Sequence, residues 1–296
     1  MKKNKSLKKT LGFIFIIIGI SLPLLAFFSM SYRNLLAEKN YKAYVEEKKK
    51  ISEEEKQREQ EFIDTYQKTN EKADQGIVDP FEVEDFKGDY PDGINMDEPF
   101  AYLRIPKLDK HMPIYLDATD KNLARGLGQI AGTSLPVGGV GNRSVIAGHR
   151  GWWGDTMFLY IHTLKPNDRI YIDKNGKTMT YEVASFEVID PSQWQKLLPV
   201  GGEDMITLLT CEPFAPPRPF RLLVNAKRLA SEMEVVEESP YILETPAKIE
   251  LIEEDQDKDK TNTTTRRVNL ALYAITFILI LGLVFTLGKF IKYLLS

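Results

Sequence analysis

Two long apolar runs bracket a more polar central region of this 296-residue chain. The first extends from about Leu11 to Ser29 and the second from about Leu270 to Leu287, and neither contains an acidic or basic residue. Each reaches the roughly 18–20 residues that are needed to cross a hydrocarbon core of about 30 Å. The pattern therefore predicts one transmembrane helix near each end of the chain.

The charges that flank these runs predict their orientation. Five lysines precede the first run and two follow the second, which places both chain ends in the cytoplasm and residues 31–267 outside it. Arg266 and Arg267 oppose this orientation but are outnumbered. A cleaved signal peptide would share the basic start, but the exit at Met30-Ser-Tyr-Arg33 is a poor cleavage site. We expect a two-pass cell-membrane protein of a bacterial surface, with its central region on the extracellular face.

The segment after the first apolar run is dense in Glu and Lys, and it has no Gly or Pro between Arg33 and about Asp74. Apolar residues recur only sparsely along it, which predicts a helix with a thin apolar stripe. Because its heptad regularity is weak, we favour a solvated helical stalk over a coiled coil that binds a partner. Gly76 is expected to end this helix.

Short β-type runs separated by turn residues fill the region from about Pro99 to Arg228. The predicted strands are 101–105, 112–115, 144–147, 169–172, 179–183, 186–189, 205–209 and 220–224. Asn175-Gly176 predicts a tight hairpin between two of them. About eight short strands with few helices predict a mainly β domain, either a closed barrel or a sandwich.

These patterns give a predicted order of segments along the chain. The segments are a basic cytoplasmic N-terminus (1–10), a transmembrane helix (11–29), a charged helical stalk (30–75), an irregular loop (76–98), a β domain (99–229), an acidic tether (230–268), a second transmembrane helix (269–288) and a cytoplasmic tail (289–296).

Charge and cysteine usage narrow the function classes. The net charge of −3 gives no electrostatic case for nucleic-acid binding. The acidic residues are scattered along the tethers rather than set at calcium-ligand spacing, so we predict no metal and no cofactor.

Cys211 is the only cysteine of the chain. Since an unpaired thiol outside the cytoplasm risks oxidation, we interpret Cys211 as a catalytic nucleophile.

A thiol nucleophile needs a base or a cationic neighbour that raises its thiolate fraction. Of the three histidines, His149 is favoured over His111 and His162, because it follows a strand and stands in the glycine-flanked turn Gly148-His-Arg-Gly151. An oxyanion also needs a donor. Arg221 opens the strand that follows Cys211 and is favoured over Arg218, which lies between two prolines.

Several short segments of the sequence resemble those of a known family. Thr207-Leu-Leu-Thr-Cys211 is similar to the TLxTC signature of the sortases, membrane-anchored transpeptidases of Gram-positive bacteria. Further matching segments follow the family's order over about residues 99–228: Tyr102-Leu-Arg-Ile-Pro106, Leu135-Pro-Val-Gly-Gly139, Ala147-Gly-His-Arg-Gly151 and Arg221-Leu-Leu-Val224. The resemblance implies an eight-stranded closed β-barrel with short helices, in which His149, Cys211 and Arg221 converge at one edge.

The resemblance also implies a reaction. Cys211 would attack the Thr–Gly bond of an LPxTG-type sorting signal, and an amine would resolve the thioacyl enzyme. His149 would protonate the leaving amine and deprotonate the incoming one, without a strongly perturbed pKa, and Arg221 would hold the substrate or the oxyanion. Thr210 is a candidate substrate-binding residue that supports the site through its backbone and hydroxyl.

Two anchors and an Asp-Pro-aromatic tripeptide before the barrel resemble the class C, pilus-assembling sortases. In that group the tripeptide belongs to a lid over the site, which would be Asp79, Pro80 and Phe81 here; the alternative is ordinary loop punctuation. One departure concerns residues 212–220, Glu-Pro-Phe-Ala-Pro-Pro-Arg-Pro-Phe, where class C members usually begin Thr-Pro-Tyr and carry Asn and His. This puts the sorting signal and the acceptor in doubt.

Four functions remain open at this stage. The first joins LPxTG-type pilin subunits to a pilin lysine, and the second attaches surface proteins to the peptidoglycan cross-bridge. The third is a thiol hydrolase that uses the same residues, and the fourth is a non-catalytic surface protein with a degenerate domain. The second anchor and the lid favour pilin polymerisation.

Overall fold

The structure is a computed structural model that describes residues 7–70, 77–83, 87–152, 155–229 and 260–295. Its helices are α1 (Leu7–Lys48), α2 (Glu53–Asn70), α3 (Asp120–Arg125) and α4 (Thr263–Leu295). Its strands are β1 (Ala101–Ile105), β2 (Lys110–Leu116), β3 (Leu127–Gln129), β4 (Arg143–Ala147), β5 (Arg169–Lys174), β6 (Lys177–Ile189), β7 (Met205–Glu212) and β8 (Phe220–Arg228). Most of the predicted acidic tether and the end of the predicted stalk lie outside the described residues.

The chain divides into two compact units. Among the described residues, one unit contains residues 7–36, Asp155 and α4, and the other contains those from 37 to 262 other than Asp155. In the first unit, α1 and α4 contact each other through Phe13 and Phe290, whose ring centroids are 5.3 Å apart, and through the Ser31 and Thr276 hydroxyls, 2.9 Å apart. Both helices are long and apolar enough to cross a membrane.

The second unit is built on a closed β-barrel in the order β1-β2-β3-β4-β7-β8-β6-β5. The β2–β3 and β4–β7 pairs are parallel, and the remaining neighbours are antiparallel. The Asn175-Gly176 turn joins β5 to β6 as a hairpin, as its sequence predicts. The prediction of a closed eight-stranded barrel is thus confirmed.

Two details of the strand prediction were wrong although the number was right. The predicted strands 179–183 and 186–189 are one strand, β6, interrupted by a bulge where its pairing with β8 shifts between Val183 and Ser185. The bulge breaks the alternation of apolar residues, so one strand resembles two. The eighth strand is β3, whose three residues are too few to give a periodic signal.

Alternation along the strands separates two apolar clusters. Ile206 and Leu208 of β7 and Val224 of β8 belong to a large cluster that fills the barrel. Leu209 and Leu223 point to the opposite face, where they join a smaller cluster outside the barrel. This outer cluster also contains Ile77, Ala118, Leu123, Ile130, Val145, Ala147, Ile189 and Leu197. It forms the base on which the candidate site lies.

The charged helical segment is not a solvated stalk. Phe62 and Tyr66 of α2 are only 2% and 1% exposed and belong to the barrel cluster. The Tyr66 hydroxyl donates to the Thr133 carbonyl at 3.1 Å and accepts from the Gly132 amide at 3.2 Å. The prediction of a solvated stalk was wrong, because a few large apolar residues on one face are enough to pack the helix against the barrel.

Candidate active site

Cys211 and Arg221 face each other across neighbouring strands. β7 and β8 are antiparallel, and Cys211 is paired with Arg221 in their register. Side chains of directly opposed residues lie on the same face of a sheet, about 5 Å apart at their Cβ atoms. Arg218 lies in the loop that joins the two strands, and its positive charge acts on both Cys211 and His149.

His149 lies beside Cys211 on the other flank. β4 runs parallel to β7 with Ala147 level with Leu209, and the pairing continues as the Gly148 amide donates to the Leu209 carbonyl at 3.0 Å. Extending this register by two residues brings His149 level with Cys211. Gly148 packs closely against Leu127, so that a Cβ at position 148 would lie 2.6 Å from a Leu127 methyl carbon.

All three groups lie on the outer face of the barrel. Cys211 has the same parity along β7 as Leu209, and Arg221 has the same parity along β8 as Leu223, and both leucines are in the outer cluster. A thiol, an imidazole and a guanidinium thus stand in a row across three adjacent strands. Cys211 and Arg221 are held by strand register, whereas His149 lies in the turn that follows β4.

The segment Asp79-Pro80-Phe81 covers this row. Arg221 donates to both carboxylate oxygens of Asp79, from Nε at 2.6 Å and from Nη2 at 3.2 Å. The two side chains are only 3% and 8% exposed. The Phe81 ring centroid lies 5.5 Å from the guanidinium carbon of Arg221 and 5.5 Å from the ring centroid of His149.

Local geometry fixes the shape of this cover. The Phe81 amide donates to the Asp79 carboxylate at 2.8 Å, and the Glu82 amide donates to the Asp79 carbonyl at 3.2 Å. Asp79 therefore closes its own turn while it pairs with Arg221. Ile77, at the start of the segment, is buried in the outer cluster.

The space under the cover is nearly full. Between the segment and the barrel there remains a cavity of about 10 Å³, room for about one water molecule. Its lining residues are Ile77, Asp79, Ile130, Ile189, Pro191, Trp194, Leu197, Leu209 and Arg221. A peptide could reach this apolar surface only if residues 77–83 moved away.

Burial dominates the electrostatics of the thiol. It raises the pKa of Cys211 above its ordinary value, and the positive charge of Arg221 opposes this shift. The Asp79 carboxylate raises the pKa further, whereas Arg218 and Arg150 lower it. The covered site therefore holds the cysteine as a neutral thiol at neutral pH.

Burial also lowers the pKa of His149 to about 4. Asp120 opposes this shift through its negative charge, and Arg218 adds to it. The imidazole is consequently neutral at neutral pH. The resemblance implied no strongly perturbed pKa for His149, and in this covered state the apolar surroundings of the ring lower it instead.

Thr210 is not placed to contact a substrate through its side chain. It is fully buried, and its hydroxyl donates to the Gly148 carbonyl at 2.7 Å. Thr210 alternates with Cys211 along β7 and so points away from the outer face. Its assignment to substrate binding is corrected to a link that ties β7 to the turn carrying His149.

Two neighbours of His149 were not predicted from the sequence. The Trp152 ring stacks on the imidazole with centroids 4.1 Å apart and planes 11° apart. Arg150 is buried and forms an ion pair with Glu212, 3.0 Å from Nη1 to Oε2, which joins the two residues that follow His149 and Cys211. Arg150 directly follows His149 and Trp152 lies three residues after it, and this closeness in sequence was the available signal.

The other two histidines lie elsewhere. His111 is on β2, which β3 and β4 separate from β7 in the barrel order, and its ring packs against Tyr41 at 5.1 Å. His162 lies in a short 3-10 turn, Ile161–Thr163. Of the three histidines, His149 is the one that the β4–β7 register brings level with Cys211 when it is extended by two residues.

A closed eight-stranded barrel that carries one cysteine and one histidine on adjacent strand ends defines a sortase-type domain. The family model described as the sortase domain matches residues 103–229. Sortase C1 of pilus island 1 from group B Streptococcus is 33% identical, with a TM-score of 0.57, and the match covers 71% of this chain and 96% of that one. Sortase C-3 of Streptococcus pneumoniae is also 33% identical, with a TM-score of 0.59 over 69% and 97% of the two chains.

A curated relative, sortase A of Bacillus anthracis, is 26% identical over 166 residues, which are 51% of this chain and 77% of the relative. The chain belongs to the sortase family of cysteine transpeptidases. Within the family it is structurally similar to class C sortases.

Proposed function

We propose that this chain polymerises pili by cleaving LPxTG-type sorting signals between Thr and Gly and transferring the acyl group to a pilin lysine. The similarity to sortases C from streptococci, one of them named for a pilus island, supports this specific reading. The covered row of Cys211, His149 and Arg221 is the site to which we assign the reaction.

The first half of the proposed reaction is acylation of Cys211. The thiol passes its proton to His149, the sulfur attacks the threonine carbonyl carbon, a C–S bond forms, and the electron pair of the carbonyl moves to oxygen. Arg221 is placed on the same face to donate to that oxyanion or to hold the peptide. When the tetrahedral species collapses, the C–N bond to glycine breaks and His149 supplies the proton that the leaving amine needs.

The second half is resolution of the thioester by an amine. The incoming lysine reacts as the neutral amine: its nitrogen bonds to the acyl carbon, and His149, now neutral, accepts the proton that this nitrogen loses. The C–S bond then breaks and the thiolate of Cys211 returns. No cofactor or metal takes part in this scheme.

We assign residues 76–98 to a lid, with Asp79, Pro80 and Phe81 at its contact with the site; residues 76 and 84–86 lie outside the described part. The lid engages Arg221 through Asp79, so the guanidinium is not available to a substrate oxygen while the lid is closed. The same segment fills the apolar surface beside the site. Sorting-signal binding and lid closure would thus compete for one surface.

We further infer that the protein spans the membrane twice, with the barrel on the extracellular face. The two apolar helices and the lysine distribution support this orientation. The proposed segment boundaries remain those of the sequence, with the revision that residues 53–70 pack on the barrel. An extracellular site suits substrates that are themselves exported.

The observation that carries the proposal is the Asp79–Arg221 pair placed next to Cys211. A sortase that joins proteins to the peptidoglycan cross-bridge is the alternative. One experiment separates the two functions. Full-length protein that carries Asp79→Ala to release the lid is incubated in detergent with an LPxTG peptide and two amines, a lysine-bearing pilin peptide and an oligoglycine. Amide formation to lysine supports the pilin reading, whereas amide to oligoglycine alone supports the cross-bridge reading. Cleaved acid alone would indicate a thiol hydrolase.

A further inference from the structure

The orientation of the His149 ring is not set by a hydrogen-bonded carboxylate. Within the described residues, no side chain forms a hydrogen bond with the imidazole, and Asp120 acts on it only through its charge. The backbone is well fixed, since the His149 carbonyl accepts from the Phe158 amide at 3.1 Å and the preceding residue is bound to β7. The side-chain torsion next to an imidazole ring is broad, however, so a fixed backbone alone leaves the ring free to rotate.

One group does fix the plane of the ring. The Trp152 indole lies parallel to the imidazole, at 4.1 Å between centroids and 11° between planes, which is face-to-face contact. Phe81 makes a looser contact at 5.5 Å with a tilt of 51°, and it belongs to the segment that must move for a peptide to bind. The two aromatic contacts therefore differ: Phe81 leaves with the lid, whereas Trp152 belongs to the same turn as His149.

The turn itself is shaped for this stacking. Gly151 has a φ of +86°, a conformation that side chains rarely adopt, and it reverses the chain so that residue 152 comes back over residue 149. A Cβ at Gly151 would also lie 3.2 Å from a methyl carbon of Leu159. The indole remains 40% exposed, so burial in the core is not what holds it in place.

We propose that Trp152 is a positioning residue for His149, a flat platform that keeps the imidazole plane fixed once Phe81 has withdrawn. The indole face also favours a positive ring through its quadrupole, so it stabilises the imidazolium that forms as Cys211 gives up its proton. Trp152 performs for this histidine what an orienting carboxylate performs in other Cys-His sites. The role rests on the proposed function of His149 as acid and base.

Two substitutions separate a flat aromatic platform from apolar bulk. Trp152→Phe keeps a flat ring, and Trp152→Leu keeps an apolar side chain without one. In full-length protein carrying Asp79→Ala, we expect Trp152→Leu to lower kcat about three- to tenfold with little change in KM, which is the range of an aromatic contact of this kind. Trp152→Phe should restore most of kcat. Trp152→Leu should also lower the pKa of His149 and so move the acidic limb of the kcat profile to lower pH. The charges of Asp120, Arg218, Arg150 and Cys211 are unchanged in this variant.

A second measurement does not depend on activity. The chain has three histidines, so the imidazole C–H signals can be assigned by substitution and followed by proton NMR in micelles. Stacking on the indole shifts the His149 signals upfield; Trp152→Leu should abolish that shift and Trp152→Phe should retain part of it. Equal kcat and equal His149 shifts in the Leu and Phe variants would overturn the proposal, and so would a rise in KM alone, which would indicate a substrate contact. A parent without transpeptidase activity but with the shifted signals would contradict the proposed function and leave the stacking confirmed.

Discussion

Arg221 and Asp79 form a two-point ion pair, with Nε 2.6 Å from one carboxylate oxygen and Nη2 3.2 Å from the other. The arginine stands directly opposite Cys211 in the strand register, so the contact couples the covering segment to the candidate nucleophile. Both side chains are almost fully buried. Removing one partner of such a pair leaves an uncompensated buried charge, so we expect the pair to hold the segment 77–83 against Arg221.

Asp79→Ala should accelerate labelling of Cys211 by a thiol reagent at least about tenfold, because a loss of about 1.4 kcal/mol of closure free energy changes the open population by that factor. The pKa of the thiol should fall as well, since both burial and the Asp79 charge raise it. The rate is measured on full-length protein by mass spectrometry. Asp64→Ala, which removes an exposed carboxylate on α2 that accepts from Gln60, is the matched control and should leave the rate unchanged. Equal rates in Asp79→Ala and the parent would contradict a lid.

Phe81→Ala should raise the pKa of His149 from about 4 towards the value of about 6.5 for a free imidazole. The sign follows from burial, which disfavours the charged ring; exposing it removes that penalty. Lid closure should accordingly be favoured above about pH 6.5 and weaken as the pH falls towards 4. Proton NMR titration measures the pKa. Phe81→Leu, which keeps an apolar cover, should change it much less, and an unchanged pKa in Phe81→Ala would exclude Phe81 as the source of the burial.

Much of this site could be predicted from residues alone, and the reasons are local. Cys211 and Arg221 stand near the two ends of a loop between antiparallel strands, so their proximity follows from strand pairing. His149 follows a short apolar strand and a glycine, which predicts a position at a strand end. These relationships depend only on spacing and on alternation of side chains.

Other features depend on tertiary contacts that no local pattern contains. Asp79-Pro80-Phe81 is ordinary turn sequence, and only the resemblance to class C sortases suggested its role. The bulge near Ser185 made β6 resemble two strands, and β3 is too short to be detected. The packing of Phe62 was missed because a thin apolar stripe does not reveal what covers it.

Arg221→Lys should separate the two roles assigned to this residue. Lysine keeps the charge but cannot bind a carboxylate or an oxyanion at two points. We expect Cys211 labelling to accelerate, because the contact with Asp79 weakens, while transpeptidation falls about 10²-fold or more, as for the loss of an oxyanion donor. Kinetics with an LPxTG peptide and an amine measure the second effect. Arg58→Lys on the surface of α2 should match the parent in both assays; full turnover in Arg221→Lys would refute its assignment.

Phe62→Ala should destabilise the full-length protein by about 3–5 kcal/mol, the usual range for removing a buried phenylalanine side chain. The reason is its burial between α2 and the barrel. Thermal unfolding followed by circular dichroism in detergent measures the change. Arg58→Ala on the exposed side of the same helix should stay within about 0.5 kcal/mol. Equal melting temperatures for the two variants would instead support the interpretation of this segment as a solvated stalk.

The central claim is that Cys211 accepts the acyl group of a sorting signal with His149 and Arg221 beside it. The most direct measurement is intact-mass analysis of full-length Asp79→Ala protein mixed with an LPxTG peptide in the absence of an added amine. The account predicts an adduct with the mass of the LPxT acyl group, attached to Cys211, discharged by a lysine-bearing amine and missing in the Cys211→Ala variant. Amide product formed without Cys211, or an LPxTG peptide left uncut by the lid-released enzyme, would contradict it.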